Sequence, residues 1–279
     1  MPLSTHRGRY YSVMDALQNW LILRGRGFCT LAGTWARPLR LGAQALVAAL
    51  SPSTYNRAML QVVQKQVYFT AWQILPGFAL FCALFSVLII LIVGETARDF
   101  GLYQYALELV MRILVLELLP LMTALFVALR TGAAMNTEVA LMQIQNELGA
   151  LERIGVDPFR LEILPRIIGG TVSVLAMTAV NIVVGLALAH LIIVDLQPWS
   201  LAPGEFSRVV GDVLNPAAQL ALWLKTAAFG LAVTVIPIAE GMGTPQKLYY
   251  APISVLRGMV RVFFVLMLLE TAALALLYV

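Results

Sequence analysis

The sequence predicts an all-α integral membrane protein with an N-terminal interfacial amphipathic helix, five transmembrane helices and a cytoplasmic helix between the second and third of them. The first observation is composition: of 279 residues, 60% are hydrophobic and 12% are charged, and the mean hydropathy is +0.84. A soluble globule of this length needs far more polar surface. The other two observations are long apolar segments and basic residues grouped between them.

The N-terminal region, residues 1–54, is predicted to lie on the membrane. Between residues 11 and 35 the apolar side chains fall roughly on one helical face, with most arginines elsewhere. This pattern favours a helix lying in the cytoplasmic interface. A solvated helix packed on another domain is the alternative.

The second domain, residues 55–279, contains five apolar segments long enough to cross about 30 Å of hydrocarbon at about 1.5 Å per residue. They comprise residues 67–93, 103–129, 163–194, 218–238 and 253–278. Pro76 and Gly77 interrupt the first, so its first half is predicted to be kinked or re-entrant, with neighbouring protein or water satisfying the freed backbone groups.

Basic residues predict the orientation. Most of them lie in the N-terminal region and in segments 130–166 and 240–261, whereas the intervening loops are not basic. Lys and Arg mark cytoplasmic segments, so the N-terminus is expected inside and the C-terminus outside. The net charge of +4 then points to anionic lipid headgroups rather than to nucleic acid.

A short amphipathic helix is predicted over residues 136–154, where apolar residues recur at spacings of three and four among polar ones. Asn136 or Thr137 can cap its start, and Gly155 with Pro158 provides its end. The segment is too short to span a bilayer.

Residues 117–166 carry linked motifs, E-L-x-P-x-x-T-A-L, R-x-G-x-A-x-x-x-E-x-x-x-M and A-L-x-x-x-G-V-D-P, followed by P-R. The first span adds Q-x-Y-F-T-x-x-Q-x-x-P from residue 66. This combination resembles the signature of the MlaE permease family, the membrane subunits of ABC lipid transporters that work with an MCE-domain partner. The matches in the linked motifs include Glu117, Pro120, Thr123, Arg130, Gly132, Glu138, Met142, Glu147, Leu151, Gly155, Asp157, Pro158, Pro165 and Arg166.

The resemblance implies a homodimeric permease of the bacterial inner membrane that moves phospholipid between that membrane and the MCE partner. Its first, second and fifth spans would border the lipid pocket, and a STAS-domain subunit is compatible with the same analogy. A separate ABC ATPase would bind ATP and Mg, because this sequence contains no G-x-x-x-x-G-K-[ST] loop and no cofactor is expected on it.

By the same resemblance, the helix 136–154 couples the spans to the ATPase. Pattern alone equally allows a membrane-surface helix without a partner. The expected coupling residues are Glu138, Met142, Glu147, Leu151 and Arg153.

Four charged residues lie within the predicted spans: Arg112, Glu117, Lys225 and Glu270. Each costs several kcal/mol at the bilayer centre unless it is paired or faces a cavity. Counting about 1.5 Å per residue places Glu117 well below the other three and lets Lys225 meet Glu270. A structural ion pair and a polar wall for a lipid headgroup path both remain open.

One position departs from the family pattern, because Leu116 stands where the family commonly has an Arg before the motif Glu. Arg112, four residues earlier on nearly the same helical face, can substitute for it. Lys225 matches the family's L-K-x-x-x-F-G motif in the fourth span, and Glu270 stands where the family has Asp.

Acyl chains are expected against apolar side chains of the first span, although a span packed only on protein has the same sequence. The candidates are Leu80, Phe81, Phe85 and Leu88. No catalytic motif is visible, so an enzyme is not expected. No metal site is expected either, because the two Cys and two His have no other potential metal ligands near them in the sequence. An ion-coupled secondary transporter that uses the buried Lys and Glu groups is the principal alternative function.

Overall fold

The computed structural model describes residues 35–52, 55, 57–196 and 204–278, which are helical apart from short connections. The predicted helix over residues 11–35 lies outside them, except for Trp35. The chain divides into two units, residues 1–44 and 45–279. Residues 35–50 are helical (α1), and the following paragraphs concern the second unit.

Within the residues described, the second unit contains ten further α-helices, which are connected by short π-helical segments and turns. The α-helices are α2 (Arg57–Val67), α3 (Leu75–Asp99), α4 (Tyr103–Val110), α5 (Leu119–Val127), α6 (Ala133–Ile144), α7 (Glu147–Arg153), α8 (Leu164–His190), α9 (Glu205–Val213), α10 (Pro216–Met242) and α11 (Ala251–Tyr278).

Five helical spans in the described residues are long and apolar enough to cross a membrane, as predicted. They comprise Met59–Asp99, Tyr105–Ile144, Phe159–Val194, Pro216–Met242 and Leu248–Leu276, here called the first to fifth spans. The predicted break in the first span is confirmed: the helix is interrupted at Gln73 and Ile74, and α3 starts with Pro76 in its first turn. The amphipathic helix α9, between the third and fourth spans, was not predicted.

Three π-helical segments lie just before prolines. Tyr68–Trp72, Met111–Leu118 and Phe159–Ile163 precede Pro76, Pro120 and Pro165, each in the first turn of the next α-helix. A proline has no N–H for the carbonyl four residues earlier, so the regular α pattern cannot run through it unchanged. Wider turns at these positions accommodate that defect.

The predicted helix over residues 136–154 is wrong in its boundaries. Its first half belongs to α6, which continues the second span, and α7 begins only after Asn146, whose φ of 59° is left-handed. Asn136 is therefore no cap: it is fully buried in α6, and its side chain bonds Ser254 in the fifth span. Gly155, with a φ of 80°, ends α7 as predicted.

The fourth span is the most buried and packs against the third and fifth spans and against α6. Small residues permit its close crossing with the third span: a Cβ added at Gly170 would lie 2.4 Å from Thr234 Cγ2, and one at Gly230 would lie 3.0 Å from Thr171 Cα. Membrane helices use such residues to bring backbones together.

Candidate functional site

A buried ion cluster joins three spans. Lys225 of the fourth span contacts the carboxylate of Glu117 in the second and lies 2.8 Å from Glu270 Oε2 in the fifth. The three side chains are only 4%, 12% and 11% exposed. The predicted meeting of Lys225 and Glu270 is confirmed, and Glu117 joins them.

The backbone of the second span completes the surroundings of Lys225. Its ammonium lies 3.3 Å from the carbonyl oxygen of Leu116 and donates a hydrogen bond to it. Pro120, four residues later, has no N–H to give that carbonyl. Leu116, where the family Arg is missing, thus contributes a backbone acceptor to the cluster.

Glu117 contacts Lys225 although helical rise places it well below the other three charged residues. It lies in the π-helical segment Met111–Leu118, where the rise and rotation per residue differ from those of an α-helix. Arg112 forms an ion pair with Glu108 at 2.9 Å, and the cation beside Glu117 is Lys225.

Charge in the cluster is incompletely balanced, because two carboxylates face one ammonium, a formal net charge of −1. Glu117 Oε1 is buried without a hydrogen-bond partner among the described residues. Burying a charge is costly unless it is paired and hydrogen-bonded. The cluster therefore has an acceptor available for a further donor, such as a proton or a polar ligand group.

A cavity of about 630 Å³ adjoins the cluster. Lys225 is part of its wall. The other wall residues come from the second, fourth and fifth spans and from the end of α9. Asp212, Asn215 and Arg112 supply polar groups, while most of the wall is apolar. The volume is in the range of small-molecule sites.

Sequence reasoning missed the apolar wall of this cavity, although its pattern is visible. Ala217, Ala221 and Ala228 of the fourth span recur on the helical face that carries Lys225, and Ala272 and Ala273 lie opposite on the fifth. Small side chains at these positions leave the space between the two helices. Asp212 and Asn215 were overlooked because α9 itself was not predicted.

The residues proposed to contact acyl chains lie on a different surface. Leu80, Phe81 and Leu88 are exposed on α3, Phe85 is half-buried, and none of the four lines the 630 Å³ cavity. They form an apolar face of the first span.

The predicted coupling residues are divided between two helices. Glu138, in α6, lies 3.5 Å from Arg166 at the start of the third span, while Met142, later in α6, is half-buried. In α7, Glu147 and Arg153 are exposed and form no ion pair within the described residues, whereas Leu151 is half-buried.

Together, the five apolar spans and the polar site buried between them define a multi-pass α-helical membrane protein. The family model for the permease MlaE matches residues 63–276, which include all five spans almost completely. The chain therefore belongs to the MlaE permease family. The matched family model describes a permease.

Three relatives illustrate the similarity. The chain is 32% identical over 149 residues to the intermembrane phospholipid transport system permease protein MlaE of Haemophilus influenzae, covering 51% of this chain and 54% of that one. It is 26% identical over 128 residues to a probable ABC transporter permease of Synechocystis, 46% and 48% of the two chains. It is 27% identical over 128 residues to the chloroplastic protein TRIGALACTOSYLDIACYLGLYCEROL 1 of Arabidopsis thaliana, 46% and 36%. The matches to the first two span about half of each relative's length.

Proposed function

We propose that this chain is the permease subunit of an ABC transporter that moves phospholipid between the inner membrane and an MCE-domain partner. The observation that carries the proposal is the buried cluster of Glu117, Lys225 and Glu270 beside a cavity with largely apolar walls. A phospholipid has the matching chemistry: a hydrogen-bond donor or ammonium in its headgroup suits the net negative charge of the cluster, and its chains suit the alanine-lined wall. The name of the Haemophilus influenzae relative supports the same substrate class.

The ATPase is proposed to be a separate subunit that docks on α7. Glu147 and Arg153 support this, because both are exposed and without ion pairs among the described residues, and Ile154 beside them is 73% exposed. Exposed charges around an apolar residue are typical of a protein interface. ATP and Mg belong to that subunit in this proposal.

The remaining assembly is proposed by the family resemblance. The chain would form a homodimer, contact the MCE protein on the periplasmic side and accept a STAS-domain subunit. Its N-terminus would be cytoplasmic and its C-terminus periplasmic. Leu80, Phe81, Phe85 and Leu88 would contact acyl chains from the apolar face of the first span, outside the cavity that Lys225 lines.

An ion-coupled secondary transporter is the second candidate, and the net charge of the buried cluster favours it. Such a transporter moves its substrate in proteoliposomes under an ion gradient without any ATPase. The ABC proposal predicts no transport under that condition.

The test is affinity purification of the chain, expressed from its own locus, followed by identification of the co-purifying proteins and an ATPase assay. An ATPase and an MCE protein should accompany it, and Glu147→Lys should release the ATPase because the reversed charge meets the same partner surface. The matched control is Glu95→Lys. It reverses an exposed charge near the end of α3, on the opposite side of the membrane from α7 in the proposed topology. A chain that purifies alone, or one that keeps its ATPase in Glu147→Lys, contradicts the proposal.

A further inference from the structure

A second cavity lies between the first and second spans, at the end of the bundle opposite the 630 Å³ cavity. Its volume is about 400 Å³, and it shares no lining residue with the larger one. Its walls come from the first span, around the π-helical segment Tyr68–Trp72, and from the second span, at the start of α6 and in the π-helical segment Ala128–Gly132 before it. They comprise Gln66, Phe69, Thr70, Gln73, Arg130, Thr131, Ala134, Met135 and Glu138.

This cavity is polar where two membrane helices ordinarily meet through apolar side chains. Gln66 Nε2 donates to Thr70 Oγ1 at 3.1 Å, and Thr70 is 1% exposed. Two glutamine amides, two threonine hydroxyls, a guanidinium and a carboxylate thus line one space.

The two charged residues of this cavity, Arg130 and Glu138, differ in the contacts that they already make. Arg130 donates from Nη1 to the carbonyl oxygen of Phe69 at 3.2 Å and forms no ion pair within the described part of the chain. A guanidinium has five N–H donors, so most of its capacity is left for an anion. Glu138 lies 3.5 Å from Arg166 Nε and is 56% exposed, so it can also face a cation in the cavity.

Aromatic residues mark the level of this cavity in the membrane. Tyr68, Phe69 and Trp72 are about half-exposed or more and lie on the same π-helical segment as Thr70. Trp and Tyr concentrate where headgroups meet hydrocarbon. The opening between the two spans is therefore at headgroup level, on the side where the chain carries α7.

We propose that this cavity binds the headgroup of a zwitterionic phospholipid from the adjacent leaflet, with its phosphate on Arg130 and its ammonium at Glu138 and the glutamine carbonyl oxygens. Bidentate contact with phosphate is the geometry that a guanidinium favours. The site is separate from the Lys225 cavity, and occupation of it would bring a lipid against α6, the helix that leads to α7. The inference rests on the proposed function only in taking the ligand to be a membrane lipid.

The test uses the full chain with its co-purifying subunits in vesicles of phosphatidylethanolamine and phosphatidylglycerol. A photo-crosslinking amino acid replaces Ala134, which lines the cavity without a polar group, and mass spectrometry identifies the lipid adduct. We expect a phosphatidylethanolamine adduct that falls at least about fivefold in Arg130→Gln. Arg160→Gln, which removes an exposed arginine paired with Asp157, should leave it unchanged.

Glu138→Gln supplies a second variant of nearly the same shape. It should retain an adduct but lose the preference for phosphatidylethanolamine over phosphatidylglycerol. An adduct insensitive to Arg130→Gln, or one without lipid preference in the unmodified site, overturns the inference. Displacement of the lipid by inorganic phosphate alone identifies a site for a free anion and overturns it as well.

Lipid transport is measured in parallel to separate this inference from the proposed function. If the chain with the crosslinker at position 134 gives no lipid adduct although it transports lipid, the inference fails alone. If Lys225→Met and the parent chain both give the adduct but neither system transports lipid, the proposed function fails and the headgroup site stands.

Discussion

Lys225 is the residue on which the buried cluster depends. It is the cation that contacts both Glu117 and Glu270, and its ammonium also bonds the Leu116 carbonyl. Without it, two carboxylates face each other in an apolar bundle. Removing one partner of a buried pair typically costs about 3–5 kcal/mol, because the remaining charge is left uncompensated.

Lys225→Met should therefore lower the stability of the chain by about that amount and abolish lipid transport. Thermal unfolding in detergent and a lipid transfer assay measure the two effects. Lys65→Met is the stability control, because it is the same substitution at an exposed position on α2, where loss of a surface charge costs about 0–1 kcal/mol. Replacing Glu270 by Gln in the Lys225→Met background should restore part of the stability. Normal transport by Lys225→Met contradicts the role assigned to this residue.

The sequence was sufficient to predict that Lys225 meets Glu270, but it did not predict that Glu117 also contacts Lys225. Helical rise gives comparable depths only for straight, regular helices, and the π-helical segment around Glu117 breaks that condition. The pairing of Asn136 with Ser254 was also beyond reach, because 118 residues separate them and no local pattern connects them.

The crossing of the third and fourth spans is the element-level feature that holds the bundle together. Gly170 faces Thr234 so closely that even one methyl group has no room. Gly170→Ala should cost about 1–3 kcal/mol by overpacking. Gly77→Ala is the matched control, because a Cβ added there meets nothing within 4 Å. Thermal unfolding of both variants in the same detergent is the measurement, and equal midpoints would show that the crossing can relax.

The connection between the second and third spans shows what helix prediction from periodicity can and cannot do. Apolar spacing correctly indicated helix through most of residues 136–154, and Gly155 correctly marked the end. Periodicity could not show that the first part continues a span, because an apolar helical face looks the same on either side of Asn136. The left-handed backbone conformation of Asn146 could not be predicted either, because it does not alter the spacing of the apolar residues.

On the scale of the whole molecule, the orientation of the five spans is testable by chemical access. In a chain with both cysteines replaced by alanine, Ser207→Cys in α9 should react with a membrane-impermeant maleimide in intact spheroplasts. Glu152→Cys in α7 should react only after permeabilisation. Both positions are exposed, so the difference measures sidedness rather than burial. The reverse pattern would invert the proposed topology.

Composition and hydropathy sufficed for the number of spans because bilayer thickness requires a certain length of apolar helix. They did not show which faces of those helices meet. The alanine-lined cavity, for example, depends on how the fourth and fifth spans are rotated toward each other, and hydropathy contains little information about rotation.

The π-helical segment Met111–Leu118 determines where Glu117 lies around the axis of the second span. A π turn takes up one residue more than an α turn, and one residue corresponds to about 100° around the helix axis. Relaxation of this segment to α geometry would swing Glu117 away from Lys225 while the helix axes kept their places. The contact between Glu117 and Lys225 therefore depends on the helical twist of this segment as well as on the distance between the two helix axes.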